Sequence, residues 1–199
     1  MNHSALSPLE DLLGSEGLLL PGQDLSRYER EWRGRYTSRA LAVARPVSTA
    51  QLARLVGGAV ACGERAELLV SLERMRQLRR LDADSASLTV DAGCTLQQAG
   101  EAAAEAGFRL PLELASGGSA TIGGVLATNA GGNQTIRFGN ARAMVLGLEA
   151  VFADGRVWNG LSALRKDNSG YNLAQLLVGS EGTLAIISAA TLALQPLPQ

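Results

Sequence analysis

Histidine is almost missing from this chain, where His3 is the only one among 199 residues. That excludes Ser-His and Cys-His nucleophile pairs and histidine-based metal sites built within one polypeptide. Cysteine is nearly as scarce. Cys62 and Cys94 are the only two, and no histidine stands near either, so neither a zinc set nor a disulfide framework is indicated and both are expected to be buried. A dominant charge is missing too. The 18 basic and 19 acidic residues give a net charge of −1 with no basic stripe interleaved with aromatics, which removes nucleic acid as an expected partner. No apolar run approaches the roughly 20 residues of a membrane helix. The first residues lack the basic start and apolar core of a signal peptide, so the expected compartment is the cytoplasm. No catalytic side chain and no metal ligand emerges, and any chemistry has to come from a cofactor or another polypeptide.

Glycine, by contrast, is abundant at 23 residues, and seven of them fall between Gly117 and Gly139. Glycine lets main-chain N–H groups approach a ligand, and successive N–H groups form a concavity for a phosphate or a polarised carbonyl. The run Thr121-Ile-Gly-Gly-Val-Leu-Ala-Thr-Asn-Ala-Gly-Gly132 is answered later by Gly179-Ser-Glu-Gly-Thr-Leu-Ala-Ile-Ile187. Neither spacing fits a Walker loop or a Rossmann fingerprint. From spacing alone a tight irregular turn and a nucleotide-cofactor loop both remain open. Thr121, Thr128 and Asn129 add side-chain donors, with self-bonded turn chemistry as the plainer role for Thr128 and Asn129. Lys166 to Tyr171 reads as a solvated polar turn, and the Glu181 carboxylate as a structural acceptor of loop N–H groups.

Around these segments the pattern is α+β. Leu9, Leu12 and Leu13 suit a short amphipathic helix, and Leu41 to Arg45 a buried strand stopped by Pro46. Ser48 and Gln51 then open a helix whose Leu52, Leu55, Val56, Ala59 and Cys62 share one face, with Gly63 as its stop. Leu68 to Leu72 is the expected parallel return. Ser87 to Asp91 alternates as a half-buried strand, and Thr95 with Gln98 opens a helix to Ala106. A hairpin joins Ala143–Phe152 to Gly155–Trp158 through Asp154-Gly155. A short helix covers Asn172 to Leu177, and a last strand runs from Leu184 to Leu194. The charge runs Arg27 to Arg35 and Arg74 to Arg80 read as solvated faces.

Taken in order, Trp32 to Tyr36, Ala42 to Thr49, Ser71 to Met75, Thr121 to Gly132, Arg137 to Asn140, Leu164 to Tyr171 and Gly179 to Ile187 resemble the FAD-binding domain of the vanillyl-alcohol oxidase and p-cresol methylhydroxylase (PCMH) type. Within it, the chain is most similar to the FAD-linked D-2-hydroxyacid dehydrogenases, a group with D-2-hydroxyglutarate dehydrogenase, D-lactate dehydrogenase and the FAD-linked subunit of glycolate oxidase. The resemblance implies a two-lobed α+β PCMH-type domain over residues 39–199, behind an N-terminal arm of residues 1–38. Lobe 1 would cover about 39–93 and lobe 2 about 94–199. It implies FAD as cofactor, with Ser119, Ala120, Thr121, Gly124, Thr128, Asn129, Ala130 and Gly131 around flavin and pyrophosphate. Glu181, Gly182, Thr183, Leu184 and Ile187 would contact its other side. It also implies a flavin-dependent oxidoreductase converting a D-2-hydroxy acid to the 2-oxo acid by hydride transfer to the flavin.

Two departures from the family pattern shape further expectations. The stretch Cys62-Gly-Glu-Arg-Ala-Glu-Leu68 replaces a second strand and a glycine-rich pyrophosphate loop, so lobe 1 is expected to be shortened. The family's C-terminal cap does not follow Gln199, so this chain alone is expected to be truncated and inactive, taking a 2-hydroxy acid only when a complementary subunit supplies the cap. Ala185, Val125 and Glu31 are milder changes. The competing expectations are a non-catalytic remnant or interaction module that keeps the fold without FAD, and an FAD-binding partner subunit with an exposed apolar docking face.

Overall fold

The computed structural model describes residues 6–30, 34–35, 39–62 and 68–197. His3, Glu31, Trp32, Tyr36, the Gly63 stop and the 63–67 connection lie outside the described residues. α1 (Ser7–Leu13) buries Leu13, and Leu9 and Leu12 pack on the same core. β1 (Leu18–Leu19) pairs antiparallel with β2 (Ala42–Ala44), so the expected arm contributes a strand. α2 (Ser26–Glu29) is a single turn. After β2, α3 (Thr49–Cys62) leads to β3 (Leu68–Val70), which pairs parallel with β2 in the register Ala42 to Leu68. The expected βαβ unit is therefore present. Ser48 Oγ accepts from the Gln51 N–H at 3.2 Å, while Gln51 Oε1 reaches one residue further back than a strict capping box, to the Val47 N–H at 3.0 Å.

A second, larger sheet is antiparallel throughout, with strand order β4 (Leu78–Asp82), β5 (Ser87–Asp91), β9 (Ala185–Ala193), β7 (Val145–Phe152) and β8 (Val157–Gly160). α4 (Leu96–Glu105) starts at a complete capping box, with both Thr95–Gln98 bonds made at 3.1 and 3.0 Å. β6 (Phe108–Arg109) pairs with β10 (Gln195–Pro196). α5 (Ile122–Ala127), α6 (Thr135–Phe138), a 3-10 turn at Ala141–Met144 and α7 (Leu173–Leu177) complete the order. The hairpin loop holds Gly155 at φ 80°, with Phe152 and Arg156 closing it at 2.9 Å. That is a three-residue loop with its left-handed residue last. The result is a mixed helix and sheet fold. Leu88, Val90, Ile122, Leu126, Leu148 and Leu192 lie in the larger core, and Leu13, Leu18 and Leu55 in the smaller.

An ionic network ties the larger sheet to α3. Arg79 on β4 donates through Nε to Asp91 at 2.6 Å and through Nη2 to Glu149 at 3.0 Å. Glu149 Oε1 also accepts from Thr49 Oγ1 on α3 at 2.5 Å and from Ser188 Oγ at 2.9 Å. The run Arg74 to Arg80 is thus not simply a solvated face: Leu78 to Asp82 forms an edge strand, and Arg79 turns inward to two carboxylates that are largely buried. Burial pushes the Glu149 carboxyl up, but the bonds from Arg79, Thr49 and Ser188 outweigh it and hold the group below its usual range. Cys94 is fully buried, and burial together with the Asp91 charge pushes its thiol up, which makes it inert.

Candidate functional site

The glycine run is built around a helix. Thr121 Oγ1 caps α5 by accepting from the Gly124 N–H at 3.3 Å, and Ile122, Val125 and Leu126 bury one face at helical spacing. Thr128 Oγ1 closes the other end by donating to the Gly124 carbonyl at 2.9 Å. Six residues at 1.5 Å each give a rod of about 9 Å. Along its outer side Ser119, Gly124, Thr128 and Gly131 are exposed, with Thr121, Asn129 and Ala130 half-buried beside them. Ala120 and Ala130 pack on the larger core beneath.

The second glycine segment docks on the far end of this rod. Gly179 N–H donates to the Leu126 carbonyl and Glu181 N–H to the Ala127 carbonyl, both at 3.0 Å. The second bond satisfies a carbonyl at the end of α5, and the first adds a donor to the Leu126 carbonyl, which also accepts the Asn129 N–H at 3.0 Å. Arg142 locks the junction: its N–H donates to Asn129 Oδ1 at 3.0 Å, and its guanidinium donates to the carbonyls of Gln175 and Val178. Nothing in the sequence pattern singled out Arg142, because its acceptors are carbonyls more than 30 residues away. Asn129 and Glu181 adopt φ of 48° and 51°, and Gly182 follows at 78°. The Glu181 carboxylate has no hydrogen-bond donor among the described residues, so the expected structural acceptor is corrected: the main chain of Glu181 makes the tie. Glu181, Gly182, Thr183 and Leu184 are exposed beside Thr128. Ile187 stands apart, 5% exposed in the core and paired with Ala150 in the sheet.

At the near end of α5 lies an open cleft of about 450 Å³ between α2 and the turn at Gly118, Ser119 and Thr121. Glu73 organises its outer wall, accepting from Arg27 at 2.8 Å, Tyr28 Oη at 2.6 Å and Arg45 at 3.3 Å. Burial raises the Glu73 carboxyl, and the bonds from Tyr28, Arg45 and Arg27 bring it below its ordinary value. The run Arg27 to Arg35 is therefore tied down at its first residue. Among the described residues the N–H groups of Gly118, Thr121, Gly131 and Gly182 have no protein acceptor. Of the expected site residues, Thr121, Gly131 and Gly182 keep a free main-chain donor among the described residues, whereas the N–H groups of Ser119, Ala120, Gly124, Thr128, Asn129, Ala130, Glu181 and Thr183 already donate within the protein. The polar turn after Leu164 is separate, and Ser169 closes it on Asp167 by N–H and hydroxyl bonds at 2.9 and 2.6 Å.

A family model described as an FAD binding domain matches residues 53–160, more than half of the chain. The chain belongs to the FAD binding domain family. Its cofactor is FAD, and the free main-chain donors suit a long ligand carrying a diphosphate. The chain is 45% identical over 144 residues to the mitochondrial D-2-hydroxyglutarate dehydrogenase of Bos taurus, covering 72% of this chain and 26% of the relative. It is 35% identical over 208 residues to a probable mitochondrial D-2-hydroxyglutarate dehydrogenase of Oryza sativa subsp. indica, covering 94% of this chain and 37% of the relative. The chain therefore spans well under half the length of these relatives. A solved alkyldihydroxyacetonephosphate synthase superposes with a TM-score of 0.84 over 100% of this chain and 40% of its own, at 21% identity, which shows a shared fold.

These relatives correct the expected compartment. Both are named as mitochondrial, which overturns the cytoplasmic reading. That reading rested on a missing secretory signal, and an amphipathic, Arg-rich mitochondrial leader has a different pattern. No helix among the described residues is long and apolar enough to cross a membrane.

Proposed function

We propose that this chain is the FAD-binding part of a flavin-dependent dehydrogenase that oxidises a D-2-hydroxy acid, of the 2-hydroxyglutarate, lactate or glycolate class, to the 2-oxo acid. The observation that carries the reading is the 45% identity over 144 residues, 72% of this chain, to a D-2-hydroxyglutarate dehydrogenase. In this reading residues 39–199 are a two-lobed PCMH-type domain with a shortened first lobe, and 1–38 an arm. Ser119 to Thr121, Gly124 and Thr128 to Gly131 hold one side of the cofactor, and Glu181 to Leu184 hold the other.

The chain's own part is to bind and orient. Main-chain N–H groups at Thr121, Gly131 and Gly182 have no protein acceptor among the described residues, and the Arg142 junction fixes the two segments relative to each other. The flavin, when bound, supplies the hydride-accepting chemistry. Ile136, Tyr171 and Leu176 are exposed, with Tyr171 at 97%, and these uncovered apolar side chains support a complementary polypeptide that brings the substrate-binding groups.

The test is anaerobic reduction of the protein isolated from its own cells with whatever chains accompany it. After loading with FAD, D-2-hydroxyglutarate or D-lactate is expected to bleach the flavin band, and the L isomers to leave it. A retained flavin that no 2-hydroxy acid bleaches overturns the dehydrogenase reading and leaves the cofactor assignment intact.

A further inference from the structure

Arg76 lines the cleft between α2 and the Gly118–Thr121 turn, and no carboxylate pairs with it among the described residues. Its Nε donates to the Glu73 carbonyl, which anchors the side chain at the cleft, while both Nη groups lack a protein acceptor among the described residues. Glu73 is the single carboxylate of the lining, and it is already taken by Arg27, Tyr28 and Arg45. The hydroxyls of Ser71, Thr95 and Thr121 each accept one backbone N–H, from Glu73, Gln98 and Gly124, so each still has a proton to give. The N–H groups of Gly118 and Thr121 add two more donors. An excess of donors around an unpaired guanidinium is chemistry for an anion, and a guanidinium fork suits phosphate oxygens.

We infer that Arg76 is the counter-cation of the cofactor's diphosphate, held in this cleft with the hydroxyls of Ser71, Thr95 and Thr121. The inference rests on the FAD reading. It deepens that reading by assigning the charge to a side chain which none of the glycine segments contains.

The experiment titrates the protein and its Arg76→Ala variant with FAD, ADP and riboflavin by calorimetry. FAD and ADP are expected to weaken about 10- to 100-fold, as for the loss of a charge-assisted bond, while riboflavin, which lacks the diphosphate, is unchanged. Arg76→Lys recovers part of the loss. Arg80→Ala, which removes an equal charge from an exposed pair with Asp82, leaves all three affinities as they were. If Arg76→Ala fails to fold, Arg76→Gln gives the same comparison while keeping a donor for the Glu73 carbonyl. Unchanged FAD affinity in the variant, or an equal loss for riboflavin, overturns the Arg76 assignment and leaves the FAD reading standing. If the parent binds ADP through Arg76 but not FAD, the FAD reading falls and the anion cleft stands. A parent that binds neither ligand overturns both.

Discussion

Glu149→Ala lowers the unfolding free energy by about 3 kcal/mol, the low end of the usual cost of removing one partner of a buried ion pair. The low end applies because the Arg79 side chain keeps 26% of its surface in water, whereas that of Glu149 keeps 10%. Three donors lose their acceptor at once: the Arg79 guanidinium, the Thr49 hydroxyl and the Ser188 hydroxyl. At about 2–4 °C per kcal/mol for a chain of this size, Tm falls by roughly 10 °C. The effect depends on pH with a definite sign. The folded carboxyl is held below its ordinary value of 4.5, so its contribution is fully present above that value and is lost as pH falls through the folded pKa. The parent therefore loses stability on acidification below pH 4.5 more steeply than the alanine variant does. Thermal melts of the two proteins across that range check both statements. A variant melting within about 2 °C of the parent shows that the network does not hold α3 to the larger sheet.

The second large effect separates two glycines of one segment. A Cβ on Gly132 would lie 1.9 Å from the Glu113 carbonyl oxygen, a backbone atom that moves only with the chain around it. Gly132→Ala is expected to cost about 3 kcal/mol and to abolish FAD retention by displacing the loop after α5. Gly124 sits inside α5, exposed, and its Cβ would meet only Thr121 Oγ1 at 3.4 Å, an ordinary contact. Gly124→Ala raises stability by about 0.5–1 kcal/mol through helix propensity. It is expected to lower FAD affinity roughly tenfold or more, the equivalent of about 1.4 kcal/mol, because in the proposed site its methyl would stand against the cofactor. A stabilised Gly124→Ala protein with parental FAD affinity would remove α5 from the site.

Local chemistry was legible in the sequence wherever neighbours decide the structure. The Thr95–Gln98 box, the Asp154-Gly155 hairpin and the Asn172 cap all involve partners within a few residues, whereas Ser87–Asp91 is a strand as expected but is buried at Ser87 and Asp91 too, because remote β9 pairs along it. β4 was hidden because its charges read as a solvated run, while Arg79 turns inward to Asp91 and to Glu149, 70 residues away. β6 and β10 are two residues each and have no pattern to read. α5 was obscured by its two glycines, although Ile122, Val125 and Leu126 carry the helical period that would have revealed it. The two glycine segments were recognisable separately, but their contact is made by main-chain bonds and by Arg142, which no spacing rule marks.

The most direct test of the whole account is the visible absorbance of the purified protein after incubation with excess FAD and desalting. The free main-chain donors and the cleft predict a retained flavin band, with about one flavin per chain. A folded protein that emerges colourless contradicts the cofactor site described for α5 and the Gly179–Leu184 segment.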